Sequence, residues 1–134
     1  MKFIKFNNNP KNKNTGDCVI RAIALATNST WEDIYRELTE LGIKKGLMLN
    51  DRNNWKAYLK NIGYEQQNMP RRDDRTRYTL EEFCNELAED NQIYIVKVAG
   101  HLTVVKDKNL YDSWNCSRKS VGNYWTRRND KDDN

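Results

Sequence analysis

The spacing of hydrophobic residues predicts two helices in the first third of the chain. Apolar side chains recur at helical intervals through residues 18–27, and Asn28 ends this pattern. The second predicted helix begins at Ser29, because Glu32 stands three residues later and completes the pattern of a capping box. We expect Gly42 to end this helix, since glycine readily takes the left-handed conformation found after helix C-termini.

Two further helices are predicted in the middle of the chain. Residues 51–61 place large apolar side chains on one helical face, and Gly63 follows as a terminator. Residues 64–78 are polar and are expected to form a connection without a strand. A second capping-box pattern, Thr79 with Glu82, begins the fourth predicted helix.

The last third of the chain changes to the alternating β-branched and aromatic pattern of strands. The predicted strands cover residues 92–98, 101–106, 110–114 and 121–125, and residues 1–6 form another short strand. This order predicts an α+β fold in which N-terminal helices pack on one face of a small C-terminal antiparallel sheet. We expect a single domain over 1–125 and a disordered tail over 126–134.

Composition and charge narrow the function classes. The net charge is +4, with 19 acidic residues among 23 basic ones, whereas a dedicated nucleic-acid binder usually concentrates its positive charge. The arginines of residues 71–77 are interrupted by two aspartates, so we interpret them as a solvated loop and rank nucleic-acid binding last. No export signal or membrane-spanning run is recognisable, and the three cysteines are an odd number, so we expect a cytoplasmic protein without a disulfide framework.

Three side chains could carry thiol chemistry. Cys18 stands at the predicted N-terminus of the first helix, where partial positive charge and unpaired N–H groups lower the pKa of a thiol. His101, the single histidine, begins a predicted strand, and Asp112 lies in the next strand as a near cross-strand neighbour. A thiolate, an imidazole that moves its proton and a carboxylate that orients the imidazole form a nucleophilic triad.

The segments GDCVIRA, GHLTVV and YDSW resemble the Cys, His and Asp/Asn segments of the papain-like cysteine peptidase superfamily. The similarity is strongest to small members, such as bacteriocin-processing-type peptidase domains and short phage proteins. It implies a papain-like fold, with Cys18 as nucleophile, His101 as general base and acid, and Asp112 as orienting residue. It implies no cofactor and no metal, a peptide or protein substrate, and, for a phage protein, the cytoplasm of a bacterial host.

Three further residues are candidates on the same resemblance. The family often places a Gln shortly before the cysteine to complete the oxyanion hole, and here Asn14 is the nearest side-chain amide. Asn115 is an alternative orienting residue for His101, and Trp114 is either a core residue or a shield over the His101–Asp112 pair.

Other interpretations of these residues stay open at the level of sequence. A single cysteine is more often a small core residue than a nucleophile, and Asp17 would raise the pKa of Cys18 unless it points away. A zinc site from His101 and the three cysteines is disfavoured because no C-x-x-C spacing occurs. The alternative function is a non-catalytic protein on the same fold, such as a phage-encoded factor that binds and inhibits a host protein.

Overall fold

One mixed sheet organises the computed structural model, which describes residues 1–128. Its strands, numbered along the chain, are β1 (Phe3–Lys5), β2 (Tyr64–Gln67), β3 (Ile93–Val98), β4 (His101–Lys106), β5 (Asn109–Asp112) and β6 (Tyr124–Arg127). Their order across the sheet is β1-β5-β4-β3-β6-β2. The fold class is therefore mixed α+β, with four helices and six strands in this part of the chain.

The helices pack on both faces of the sheet rather than on one. Helices α1 (Cys18–Thr27), α2 (Trp31–Lys45) and α3 (Arg52–Asn61) share a core with Ile95, Leu102, Val104 and Trp125. The short helix α4 (Leu80–Glu82) continues into a π-helical turn, Phe83–Leu87, and packs with alternate strand residues such as Val96 and Val105. The single-face expectation was wrong because β3 and β4 bury side chains of both alternations.

The sheet is neither wholly antiparallel nor wholly C-terminal. β1 pairs in parallel with β5, so that Phe3 faces Leu110 and Lys5 faces Asp112. β2, within the segment expected to be a plain connection, pairs antiparallel with β6. Its residues, YEQQ, are mostly polar because β2 is an edge strand with one pairing partner, and the hydrophobic pattern of a buried strand is therefore absent.

Two helix boundaries in α2 differ from the expectation. Thr30, not Ser29, is the N-cap, and its hydroxyl accepts a hydrogen bond from the Asp33 N–H at 3.1 Å. Gly42 lies inside the helix, and the helix ends at Gly46, which takes the left-handed conformation with φ 70°. Gly42 lies where there is no room for a side chain, because a Cβ there would lie 2.5 Å from the Leu47 carbonyl oxygen.

Other boundaries follow the sequence closely. Asn28 is the left-handed C-cap of α1, and Thr79 and Glu82 form the expected capping box. The last strand begins at Tyr124 rather than at 121, and it includes residues 126 and 127, which were expected in a disordered tail. These residues are ordered by pairing, since Thr126 faces Tyr94 on one side and Glu65 on the other. Arg128, also expected in the tail, donates its backbone N–H to the Gly63 carbonyl oxygen at 2.7 Å, and residues 129–134 lie outside the described residues. None of the helices in residues 1–128 has the length and apolar composition needed to cross a bilayer.

Candidate active site

Cys18 is the first residue of α1 and lies at the surface end of the helical core. The loop before it turns at Gly16, whose φ of 69° is accessible to glycine with little strain. Cys18 is partly exposed, whereas Cys84 and Cys116 are buried. The helix start therefore presents its thiol to solvent, and a helix N-terminus favours the negative thiolate form of that thiol.

The carboxylate of Asp17 is turned away from the helix N-terminus. It accepts hydrogen bonds from Asn9 Nδ2 at 3.0 Å, Arg21 Nε at 2.9 Å and Trp31 Nε1 at 2.8 Å, and it makes no capping bond to the helix. Burial alone raises the pKa of Asp17, but these three donors outweigh it and hold the pKa below its ordinary value. Its charge is thus balanced by Arg21, and the first N–H groups of α1 are not capped by this side chain.

His101 and Asp112 are in direct hydrogen-bond contact. His101 Nε2 lies 2.6 Å from Asp112 Oδ2, and both side chains are more than nine-tenths buried. The strand register explains the contact: Val104 pairs with Tyr111, so the same register continued by one residue sets Asp112 opposite Thr103. His101 is two residues from Thr103 and therefore lies on the same face, diagonal to Asp112.

Asp112 is fixed by several donors besides the histidine. Its Oδ1 accepts from the backbone N–H of Ser113 at 2.7 Å and from Arg21 Nη1 at 3.3 Å. Burial raises the pKa of this carboxyl, but the hydrogen bond from His101 and the other donors outweigh it, so the net shift is downward. Asp112 is consequently ionised at neutral pH and has little freedom to rotate away from His101.

Cys18 and His101 stabilise each other in their charged forms. Burial raises the pKa of the Cys18 thiol, but hydrogen bonds with the His101 side chain and the Leu102 backbone outweigh it and give a net lowering. For His101, burial lowers the pKa, whereas the hydrogen bonds to Asp112, Cys116 and Cys18 raise it well above its ordinary value. Both shifts favour a thiolate beside an imidazolium, which is the reactive state of a cysteine nucleophile.

Cys116 approaches the same histidine from the opposite side of the sheet. His101 is the first residue of β4, so it lies at an end of that strand. The Cys116 thiol lies 3.8 Å from Asp112 Oδ2, and these three side chains place possible ligand atoms within 4.8 Å of one another. Ligands of tetrahedral zinc are about 3.3 Å apart or more, given bonds of roughly 2.0–2.3 Å. The 2.6 Å His101–Asp112 separation therefore fits a hydrogen bond better than a shared metal.

The structure gives different surroundings to the three further candidates, Trp114, Asn115 and Asn14. The Trp114 ring lies 5.0 Å from the His101 ring between centroids and is 42% exposed, so it covers the histidine rather than filling the core. Asn115 Oδ1 accepts from the Ser117 N–H at 3.1 Å, which engages it in a local turn. Asn14 is exposed in the entry loop and does not line the cleft described next.

A cleft of about 240 Å³ opens beside the cysteine. Cys18 and His101 line it together with Asn50, from the loop between α2 and α3, and Lys97 of β3. A second cleft of about 350 Å³, on the side of Trp31 and Met48, shares Gly16, Val19 and Asn50 with the first. The two clefts therefore adjoin each other at these shared residues, and the thiol opens into the first of them.

Three residues around this site were missed by the sequence analysis: Arg21, Asn50 and Lys97. Cys116 was considered there only as a zinc ligand. Arg21 had a readable signal, because it is the one charged side chain in α1 and follows Asp17 at the i,i+4 spacing of a helical ion pair. Asn50 and Lys97 are brought to the site by long-range packing, and no local pattern marks them.

The assembled groups can perform nucleophilic chemistry at a carbonyl carbon. They comprise a thiol with a lowered pKa, a histidine that lines the same cleft, an ionised carboxylate bonded to the histidine, and the open cleft itself. A comparison of the chain with protein-family models, with curated proteins and with solved structures found no significant match.

Proposed function

We propose that this protein is a small thiol hydrolase, either a peptidase or amidase or a related acyl-transfer enzyme. Cys18 is the nucleophile, His101 the general base and acid, and Asp112 the residue that orients the imidazole. The observation that carries the proposal is the 2.6 Å His101–Asp112 hydrogen bond beside a cleft that His101 and Cys18 line together. The lowered pKa of the Cys18 thiol, to which His101 contributes, supports it. The three cysteines are unpaired, which supports an expectation of a reducing compartment.

The chemistry follows the triad logic in two steps. The Cys18 thiolate attacks a substrate carbonyl carbon, a C–S bond forms, and the intermediate then expels the leaving group, which takes a proton from the His101 imidazolium. Neutral His101 next removes a proton from water or an amine, which attacks the thioester and releases the acyl product and the thiolate. Asp112 stabilises the imidazolium at the stage where it is charged.

The oxyanion formed in each step needs hydrogen-bond donors. The backbone N–H of Cys18 belongs to the uncapped first turn of α1, so it is free of an intrahelical partner. Asn50 is the side-chain amide that lines the cleft with Cys18, and we assign the second donor to it in place of Asn14. Removing one such donor commonly lowers turnover about 10²- to 10³-fold.

Acyl turnover of an activated ester tests the proposal. We expect p-nitrophenyl acetate to release a burst of one equivalent of nitrophenolate, leave an acetyl group on Cys18 by mass spectrometry and then turn over steadily. Cys18→Ser should abolish the burst, and His101→Gln should slow both acylation and release. Cys84→Ser is the matched control, since that thiol is fully buried and lies outside the cleft.

One result would favour the alternative of a non-catalytic binding protein. If Cys18 is acetylated but the thioester is hydrolysed no faster than S-acetylglutathione, and His101→Gln changes nothing, then hydrolysis is excluded for this site. Acetylation spread over surface lysines with no preference for Cys18 would contradict the nucleophile assignment as well.

A further inference from the structure

The cleft beside Cys18 has an unbalanced charge. Within residues 1–128, no Asp or Glu belongs to its lining, and Lys97 is the single lysine in it. Within the lining, the Cys18 thiolate and the His101 imidazolium carry opposite charges, and Lys97 adds a positive charge. Asp112, which is bonded to His101, does not line the cleft. A cation beside a reacting carbonyl favours substrates with an anion at that place.

The Lys97 ammonium is held at the cleft. Its Nζ donates to the Val98 carbonyl oxygen at 2.7 Å, and the side chain is only partly exposed. This bond uses one of three ammonium donors, and the other two remain for a ligand. Lys97 belongs to the rigid central strand β3, so its position is set by the sheet rather than by a loop.

Two more cations, Arg52 and Lys56 of α3, act on Lys97 electrostatically. Burial lowers the pKa of Lys97 and the Cys18 thiolate raises it, while Arg52 and Lys56 of α3 lower it further through repulsion. Arg52 and Lys56 thus add to the positive potential around Lys97.

We propose that this site selects acyl substrates that carry a carboxylate close to the attacked carbonyl, with Lys97 as the residue that binds the carboxylate. The inference rests on the proposed function and narrows its substrate class. The carboxylate can be an acidic side chain next to the scissile bond or the free C-terminus of a peptide, since both offer the same oxygen acceptors to an ammonium.

Two alkylating reagents of nearly equal shape test the charge preference. Iodoacetate and iodoacetamide both place a CH₂ group on the Cys18 sulfur, forming the C–S bond and releasing iodide, but only iodoacetate carries a carboxylate. We expect the ratio of their rate constants at Cys18 to fall about fivefold or more in Lys97→Gln, the factor for one charge at about 4 Å in water. Lys97→Arg should keep the ratio, and 1 M salt should reduce the difference.

Lys106→Gln is the matched control, because Lys106 lies at the opposite end of β4 from His101. An unchanged ratio in Lys97→Gln, or an equal fall in Lys106→Gln, would overturn the proposal. Alkylation requires the thiolate and the cleft but no turnover. The alkylation rates therefore test the role of Lys97 even if the protein does not hydrolyse esters. An unchanged ratio in Lys97→Gln would not affect the conclusion from the ester assay.

Protection of Cys18 from iodoacetamide separates the two sources of the carboxylate. Acetylglutamate amide has its only carboxylate on the side chain, and acetylalanine has its only carboxylate at the C-terminus. Protection by either, relative to acetylglutamine amide or acetylalanine amide, supports the proposal if it is lost in Lys97→Gln. Equal protection by the charged and the neutral compounds would contradict it.

Discussion

Replacing Arg21 by Met tests the charge network that supports the candidate site. Arg21 is only 9% exposed and lies between two buried carboxylates: Nε is 2.9 Å from Asp17 Oδ1, and Nη1 is 3.3 Å from Asp112 Oδ1. Nη1 also donates to Ser113 Oγ at 2.8 Å. Met is shorter than Arg but fills the space of its aliphatic part, so the loss is mainly of charge and hydrogen bonds.

The expected cost follows from burial. Removing one partner of a buried ion pair leaves an uncompensated charge and costs about 3–5 kcal/mol, whereas exposed pairs contribute about 0–1 kcal/mol. Asp17 loses its cation here, whereas Asp112 keeps its bond to His101, so we expect a cost within that range. A domain of this size has a total free energy of unfolding of about 5–15 kcal/mol, so the variant should lose about a fifth or more of it.

Urea denaturation followed by tryptophan fluorescence measures this loss as a lower midpoint with an unchanged slope. The matched control is Arg36→Met, because the Arg36–Asp33 pair, at 3.1 Å on α2, is well exposed. Adding Asp17→Asn to Arg21→Met should restore part of the stability, since it removes one of the stranded charges. If Arg21→Met costs no more than Arg36→Met, the buried network does not stabilise the fold as we describe.

Three further outcomes are expected. Gly42→Ala should lower the free energy of unfolding by about 1–3 kcal/mol in urea, because its Cβ would meet the Leu47 carbonyl oxygen at 2.5 Å; a neutral result would show that the α2–α3 loop moves freely. Trp114→Ala should lower the alkylation rate of Cys18 at pH 6 roughly two- to tenfold, because it admits water to the His101–Asp112 pair, and it should change the stability little. An unchanged rate would show that Trp114 does not shield this pair. The pKa of Asp17 is lowered in the folded state, so this carboxylate stabilises the fold above its unfolded pKa of about 3.9, and the stabilisation is lost as the pH falls below that value. Asp17→Asn should therefore flatten the fall of the urea midpoint between pH 4 and pH 2. An equally steep fall in the variant would contradict this.

The local elements of this fold were largely readable from the sequence. The α1 pattern, its end at Asn28, the capping box of Thr79 and the strands around His101 depend on neighbours within a few residues. Such signals are carried by propensity and periodicity, which a single sequence contains.

The pairing of distant strands across the sheet was harder to predict from the sequence. The polar edge strand β2 has no strong local pattern, and its structure comes from pairing with β6 far away in the chain. The strand β1 was predicted, but its parallel pairing with β5 was not. Gly42 misled for a related reason, since its role is to make room for the Leu47 backbone and not to end the helix. Glycine alone does not reveal which of these two roles it has.

The residues of the candidate site likewise divide into those that the sequence marks and those that only the tertiary structure brings in. Cys18, His101 and Asp112 carry chemical types that stand out in the sequence, and a hairpin register of two strands brings the last two together. Asn50 and Lys97 reach the cleft from other elements, and their positions depend on how α3 and the α2–α3 loop pack against the sheet. The replacement of Asn14 by Asn50 as the assigned oxyanion donor is therefore a product of tertiary structure.

The ionisation state of Cys18 tests the central claim most directly. Thiolate absorbance near 240 nm, recorded from pH 4 to pH 10 and taken as the difference between the protein and its Cys18→Ser variant, reports this thiol alone. We expect a thiolate signal that persists well below pH 8.5, the ordinary pKa of cysteine, and that moves upward in pH in His101→Gln. A signal that appears only above about pH 8.5, and that is the same in both proteins, would contradict a thiolate–imidazolium pair at this site.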